Sequence, residues 1–241
     1  MLAGLVACSK KTLGPPDDVH LTAVLDTPTD ITLTWSKTSS DVVAYALEYS
    51  NDPKGEYTIL RFFPPTQTTF KHPDLIPETN FYYRVRPLFG SASQPLELRL
   101  SPQVSDADYA RRYDGGEDFS WALPKTLATS TNPYGISVKD KDAAAAAPTD
   151  FKGAFVPVTV SGFQLNWTDN ASDEDGYLLE MKPDGSPEYE VKAMLAPNIN
   201  AFGYALIPPA RKALVRVRAF YFGKTSNLEH KLTGKVEAPK P

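Results

Sequence analysis

Three short runs in the first half of the chain alternate apolar and polar residues with a period of two. Ile31, Leu33 and Trp35 alternate with Thr32, Thr34 and Ser36, and Tyr45, Leu47 and Tyr49 alternate with Ala46, Glu48 and Ser50. Tyr83, Val85 and Pro87 do so with Arg84 and Arg86. Successive side chains of a strand point to opposite faces, so this period predicts half-buried antiparallel strands. The β-branched and aromatic content agrees, and Pro, Gly, Asn and Asp bound the runs. About seven such runs fit in each half of the chain, with no helical stretch between them, a spacing that argues for a β-sandwich.

The pattern occurs twice. At an offset of 132, Ile31-Thr32-Leu33-Thr34-Trp35 meets Phe163-Gln164-Leu165-Asn166-Trp167, and Tyr45-Ala46-Leu47-Glu48 meets Tyr177-Leu178-Leu179-Glu180. Tyr57 meets Tyr189, Phe70 meets Phe202, Pro77 meets Pro209, and Arg84-Val85-Arg86 meets Arg216-Val217-Arg218. Leu96-Glu97 meets Leu228-Glu229, provided that a one-residue slip near Gly90 and Gly223 is restored at Pro95. A register held this far marks a duplicated domain. The expected organisation is a tether at residues 1–14, a first sandwich at 15–101, a linker or insert at 102–147, a second sandwich at 148–235, and a tail at 236–241. Each copy carries its own tryptophan, strands and turns, so each is expected to fold alone.

Both copies resemble fibronectin type III domains. The first offers Trp35 on the second strand, Tyr45-Ala46-Leu47-Glu48-Tyr49 on the third, then Leu75-Ile76-Pro77-Glu78-Thr79 leading into Phe81-Tyr82-Tyr83-Arg84-Val85-Arg86. The second offers Trp167, Tyr177-Leu178-Leu179-Glu180, Ile207-Pro208-Pro209 and Val215-Arg216-Val217-Arg218-Ala219. The resemblance implies an all-β fold of two immunoglobulin-like antiparallel sandwiches joined by a long linker. It also implies a module that presents loops and sheet faces to a partner. The corner tyrosine of the family is replaced by Phe81 in one copy and Ala213 in the other.

Charge and composition narrow the functions. The net charge of −4 argues against nucleic acid as a partner, because phosphate binding needs a basic face. Arg84/Arg86 and Arg216/Arg218 point away from Val85 and Val217, onto the face where Glu48 and Glu180 should lie. Cross-strand ion pairs, worth roughly 0.2–1 kcal/mol each, explain them without an anionic ligand. His20, His72 and His230 stand apart, without a serine elbow, a cysteine or a second histidine at ligand spacing. No catalytic residue, cofactor site or metal site is expected.

The densest group of acids is WTDNASDEDGYLLEM, Trp167 to Met181, which connects the second and third strands of the second copy. Its counterpart, SKTSSDVVA, holds only Asp41 as an acid. An EF-hand frame fails: with Asp173, Asp175 and Gly176 in register, the first position is Ala171 and the twelfth is Lys182. Asp, Asn, Ser and Gly are turn formers, so the expectation is a solvated turn whose carboxylates are hydrated one by one. A weak calcium site on Asp169, Asp173 and Asp175 is the rival reading.

Two further features concern address and partners. The single cysteine, Cys8, closes MLAGLVAC, and Leu5-Val6-Ala7-Cys8 resembles the lipobox of bacterial lipoprotein signal peptides, whose thiol takes a lipid. Seven residues precede it and none is basic, whereas a signal peptide has a basic n-region and an apolar h-region of about 7–15 residues. The expectation is an upstream start or a trimmed chain, and attachment to the membrane through the N-terminal lipid only. Residues 102–147 contain Tyr109, Tyr113, Phe119, Trp121 and Tyr134, more aromatics than a plain spacer would have. Tyr113, Phe119 and Trp121 are the candidate partner contacts. The combined expectation is a non-enzymatic, lipid-anchored protein of the bacterial envelope, periplasmic or surface-exposed. It would act as a spacer or an interaction module for an envelope protein or polysaccharide. The alternative is a carbohydrate-binding accessory protein, which would need its aromatics exposed.

Overall fold

The computed structural model describes residues 18–100, 105, 107, 120–127, 145–157, 159–206 and 211–236. In the first half the strands are β1 (Leu21–Thr27), β2 (Asp30–Trp35), β3 (Ala44–Ser50), β4 (Thr58–Phe63), β5 (Thr69–His72), β6 (Asn80–Ala92) and β7 (Leu96–Arg99). A turn of 3-10 helix, Ser120–Ala122, precedes the second series. That series is β8 (Thr149–Phe155), β9 (Gly162–Thr168), β10 (Gly176–Pro183), β11 (Glu190–Leu195), β12 (Ala201–Ala205), β13 (Lys212–Phe222) and β14 (Glu229–Leu232). Among the described residues no helix is long and apolar enough to cross a membrane.

Two three-stranded sheets, β1-β2-β5 and β8-β9-β12, face the two halves of one eight-stranded sheet. The long sheet runs β11-β10-β13-β6-β3-β4, with β7 added on β13 and β14 on β6. The alternating residues fill the two cores as their period requires. Ile31, Leu33, Trp35, Tyr45, Leu47 and Val85 lie in the first core. Leu165, Trp167, Tyr177, Leu179, Val215 and Val217 lie in the second. The fold is all-β and built of sandwiches.

The last strands differ from expectation. β7 follows β6 in the chain yet pairs with β13, from Leu96↔Val215 to Arg99↔Lys212. β14 pairs with β6, from Glu229↔Tyr83 to Leu232↔Asn80. Residues 96–222 therefore hold every strand of the second sandwich, and its core runs from Leu96 to Tyr221. The first sandwich is residues 18–92 closed by residues 229–232. One sandwich is nested inside the other, between its last two strands. This corrects the division at 15–101 and 148–235: neither stretch holds a complete sandwich, and residues 102–147 join two strands of one sandwich rather than two domains. It also moves the repeat register. Leu96 and Glu229 occupy equivalent places, opposite Val215 and Tyr83, so the slip is not restored at Pro95.

The exchange follows from the length of β6 and β13, 13 and 11 residues. Their far ends run past the sandwiches and pair with each other, from Leu88↔Phe222 to Ala92↔Arg218. The middle pair is Gly90↔Phe220, and beside it Phe89↔Tyr221 stack their rings at 5.5 Å. Close approach requires a glycine here, because a Cβ on Gly90 would lie 2.0 Å from the Ala219 carbonyl oxygen, at a φ of 138°. Two serines splice the ladders beyond the crossing. The Ser93 N–H donates to the Val217 carbonyl at 2.8 Å, and its hydroxyl accepts from the Val217 N–H at 3.2 Å. Ser226 makes the same two bonds with Val85, each at 2.9 Å.

A fragment of residues 96–222 is expected to give one cooperative thermal transition in β-type circular dichroism. A fragment of residues 15–101 lacks β14 and leaves β7 without its partner, so it should not give one. Joining residues 18–92 through a short turn to 226–236 should restore it. Cooperative melting of 15–101 with none in 96–222 would contradict the nested arrangement.

Candidate interaction surfaces

The face of the long sheet turned away from both cores is concave. Its two end strands, β4 and β11, come round towards each other, and the Thr66 hydroxyl donates to the Glu188 carboxylate oxygens at 2.7 and 2.9 Å across the gap. Ala44, Ala46, Leu88, Leu178 and Phe220 form a small buried cluster along the middle of this face. A groove of about 580 Å³ opens between β4 and β11, with Arg61, Phe62 and Gln67 on one wall and Tyr189, Val191 and Lys192 on the other. That volume lies within the usual range of ligand pockets.

On the same face the expected ion pairs are present and deeper than surface pairs. Glu48 is 1% exposed and accepts from Arg84 Nε at 2.6 Å and from Arg86 Nη2. Glu180 is 2% exposed and accepts from Arg216 Nε at 2.5 Å and Arg218 Nε at 3.1 Å. Each carboxylate thus neutralises two cations that the strand period sets on its face. Aromatic rings cover the guanidinium groups: Arg84 lies 4.0 Å from the Tyr57 centroid, Arg216 3.8 Å from Tyr189, and Arg86 3.6 Å from Phe222. The sequence repeat had paired Tyr57 with Tyr189 without giving them this role.

The acidic connection is a turn, but it is not solvated. Asp169, Asp173 and Glu174 are buried, which corrects the expectation of separately hydrated carboxylates. The reason lies in distant backbone donors. Asp169 accepts from the Ala171 N–H and the Tyr177 hydroxyl, and Asp173 from the Ala145 N–H. Glu174 accepts from the Asn198 N–H, and Asp175 from the Phe222 N–H. The loop gathers three separate segments of the second sandwich. Among the described residues no group of three His, Cys, Asp or Glu side chains is placed to hold a metal. Glu174 keeps one oxygen, Oε2, buried without a partner, and burial pushes its pKa up, helped by Asp169 and Asp173.

Of the candidate site residues, Cys8, Tyr113 and Phe119 lie outside the described residues. Trp121 is half-buried on the outer face of β9 and β12, its ring over Gly162 and Gly203. The histidines stay apart. His20 precedes β1, and His230 on β14 stacks on Tyr82 at 4.6 Å. His72 ends β5 among Tyr49, Phe70, Phe81 and Tyr83, with Nδ1 2.9 Å from the Tyr83 hydroxyl, and burial pushes its pKa down.

Comparison with known proteins bears on the first half. The fibronectin type III domain model matches residues 14–99. Residues 14–99 are a fibronectin type III domain. The match includes β7, so this fibronectin type III domain gives its own last strand to the second sandwich and takes β14 in return. No curated protein matches the chain. A crystal structure of a pectate lyase from Pectobacterium carotovorum is similar to part of it, at 21% identity and a TM-score of 0.29. That likeness covers 31% of this chain and 23% of the lyase chain, too slight to bear on function.

Glu174 gives a test in pH. A carboxyl whose pKa is raised by folding takes up its proton more readily in the folded state. Its ionisation therefore costs stability as pH rises through the raised value, and the cost disappears below the unfolded value. Glu174→Gln keeps an oxygen for the Asn198 N–H and removes the buried charge. It should stabilise the protein by about 1 kcal/mol or more at pH 7, with the gain shrinking towards about pH 4. Urea unfolding at several pH values measures it, and a loss of stability at pH 7 would contradict the assignment.

Proposed function

We propose that this chain is a non-enzymatic interaction module of the bacterial cell envelope, built from two copies of the fibronectin type III domain and held to the membrane by lipid on Cys8. The family match over residues 14–99 and the same strand order in β8–β13 support the duplication. The observation that carries the binding role is the groove between β4 and β11. Its walls come from both sandwiches, and the β6–β13 crossing holds them together.

The course of the chain favours an interaction module over a spacer. The Asn227 side chain bonds the Leu21 N–H and carbonyl at 2.8 and 2.9 Å, and the Gly234 N–H donates to the Pro28 carbonyl at 2.7 Å. The closing segment thus runs beside β1 in the same direction. The chain enters at one end of the first sandwich and leaves at the other, so the second sandwich adds nothing to its reach. Trp121 lies against its own sheet, which weakens the carbohydrate reading because a sugar platform needs a free aromatic face.

The protein without its first eight residues should capture a partner from envelope extract, and Arg61→Glu with Lys192→Glu should abolish that capture while leaving the melting transition in place. Equal capture by both forms would remove the groove from the interface. Cys8→Ala in the natural precursor should abolish labelling by a fatty-acid analogue, and equal label on both forms would end the lipid proposal.

A further inference from the structure

Residues Ser120–Leu127 lie against the second sandwich, a 3-10 turn followed by a single antiparallel bridge to the β12 edge. The Lys125 N–H donates to the Ala201 carbonyl at 2.9 Å, and the Lys125 carbonyl accepts from the Ala201 and Asn200 N–H groups, each at 3.0 Å. The Asn200 side chain then reads the next backbone pair, accepting from the Leu127 N–H and donating to its carbonyl at 3.2 Å. The Thr126 hydroxyl donates to the Asn198 carbonyl at 3.0 Å. Four residues before Lys125, the Trp121 ring fills a seat made by two glycines. A Cβ on Gly162 would lie 2.6 Å from its Cη2, and one on Gly203 2.7 Å from its Cε3. Any side chain at either glycine would push the ring out.

The same edge of the first sandwich is built differently. By the repeat register, Asp30 and Lys71 stand where Gly162 and Gly203 stand in the second, and they join in a 2.7 Å ion pair across the place of the ring. Thr68 stands in the place of Asn200, and each gives its carbonyl to the tryptophan N–H of the neighbouring strand. The amide clamp and the aromatic seat therefore belong to the second sandwich, among features the two halves otherwise share.

We propose that the β12 edge with its Gly162/Gly203 seat is a peptide-binding site, filled in this structure by the chain's own residues 120–127. Its ligand class is a short peptide that pairs with Ala201 through one residue and carries, four residues ahead of it, a tryptophan on a tight turn. Backbone bonds to a sheet edge supply affinity whatever the sequence, and the one deep side chain supplies selection. A partner bearing this pattern takes the site when the strap leaves. The site is separate from the groove between β4 and β11, so either can fail without the other.

The probe is the peptide SWALPKTL, labelled at its N-terminus, and the host is the full chain with Trp121→Ala, which empties the seat. Fluorescence anisotropy should show binding to this host. Affinity should fall at least about 30-fold when the peptide's tryptophan is replaced by alanine, the size of a hot-spot side chain. Adding Gly203→Val to the host should remove binding. If Trp121→Ala costs the chain its melting transition, the peptide added in excess should restore that transition by filling the seat in trans, and no recovery would overturn the site. A folded host that binds no peptide, or binds equally with and without the tryptophan, would overturn the site.

Discussion

The backbone ladder between the far ends of β6 and β13 is the contact on which the other features rest. It draws two otherwise separate sandwiches onto one sheet and leaves β6 without room for its own β7 in the usual place. It also bends that sheet so that β4 and β11 approach. Backbone pairing is indifferent to side-chain identity, so the crossing depends on a few permissive positions. Gly90 lets the strands close at the centre, Phe89 and Tyr221 stack beside it, and Ser93 and Ser226 carry the ladder past the junction.

Buried charge is used in two ways. Glu48 and Glu180 each meet two guanidinium groups, and those cations are in turn covered by rings. Such pairs add modest net stability, but removing either carboxylate would leave two cations behind, at a cost of about 3–5 kcal/mol. The acids of the Trp167–Met181 stretch instead accept backbone N–H groups from remote segments, which ties the loop down without a cation.

The sequence made the local part of this structure legible. Period two placed the core residues, and the same period set Glu48 opposite Arg84 and Glu180 opposite Arg216. The exchange of last strands was not legible. Leu96 and Leu98 alternate as any final strand would, and nothing within β7 says whether its neighbour is β6 or β13. The burial of the acidic loop was not legible for the same reason: its composition is that of a solvated turn, while its burial comes from Ala145, Asn198 and Phe222, far along the chain. Aromatic density drew notice to Trp121, but its seat consists of missing side chains at Gly162 and Gly203, which only three dimensions bring together.

The parallel course of β1 and the Asn227–Gly234 segment sets how the molecule would carry tension. Pulled at its two ends, the first sandwich would have these neighbours drawn past each other along their length, with the Asn227, Glu229 and Gly234 contacts loaded together. Shear of this kind resists force better than unzipping, in which bonds break one at a time. The second sandwich would bear little of the force until β14 had torn away from β6. A chain of this design loses its outer unit first and keeps the nested one folded as a reserve of shape.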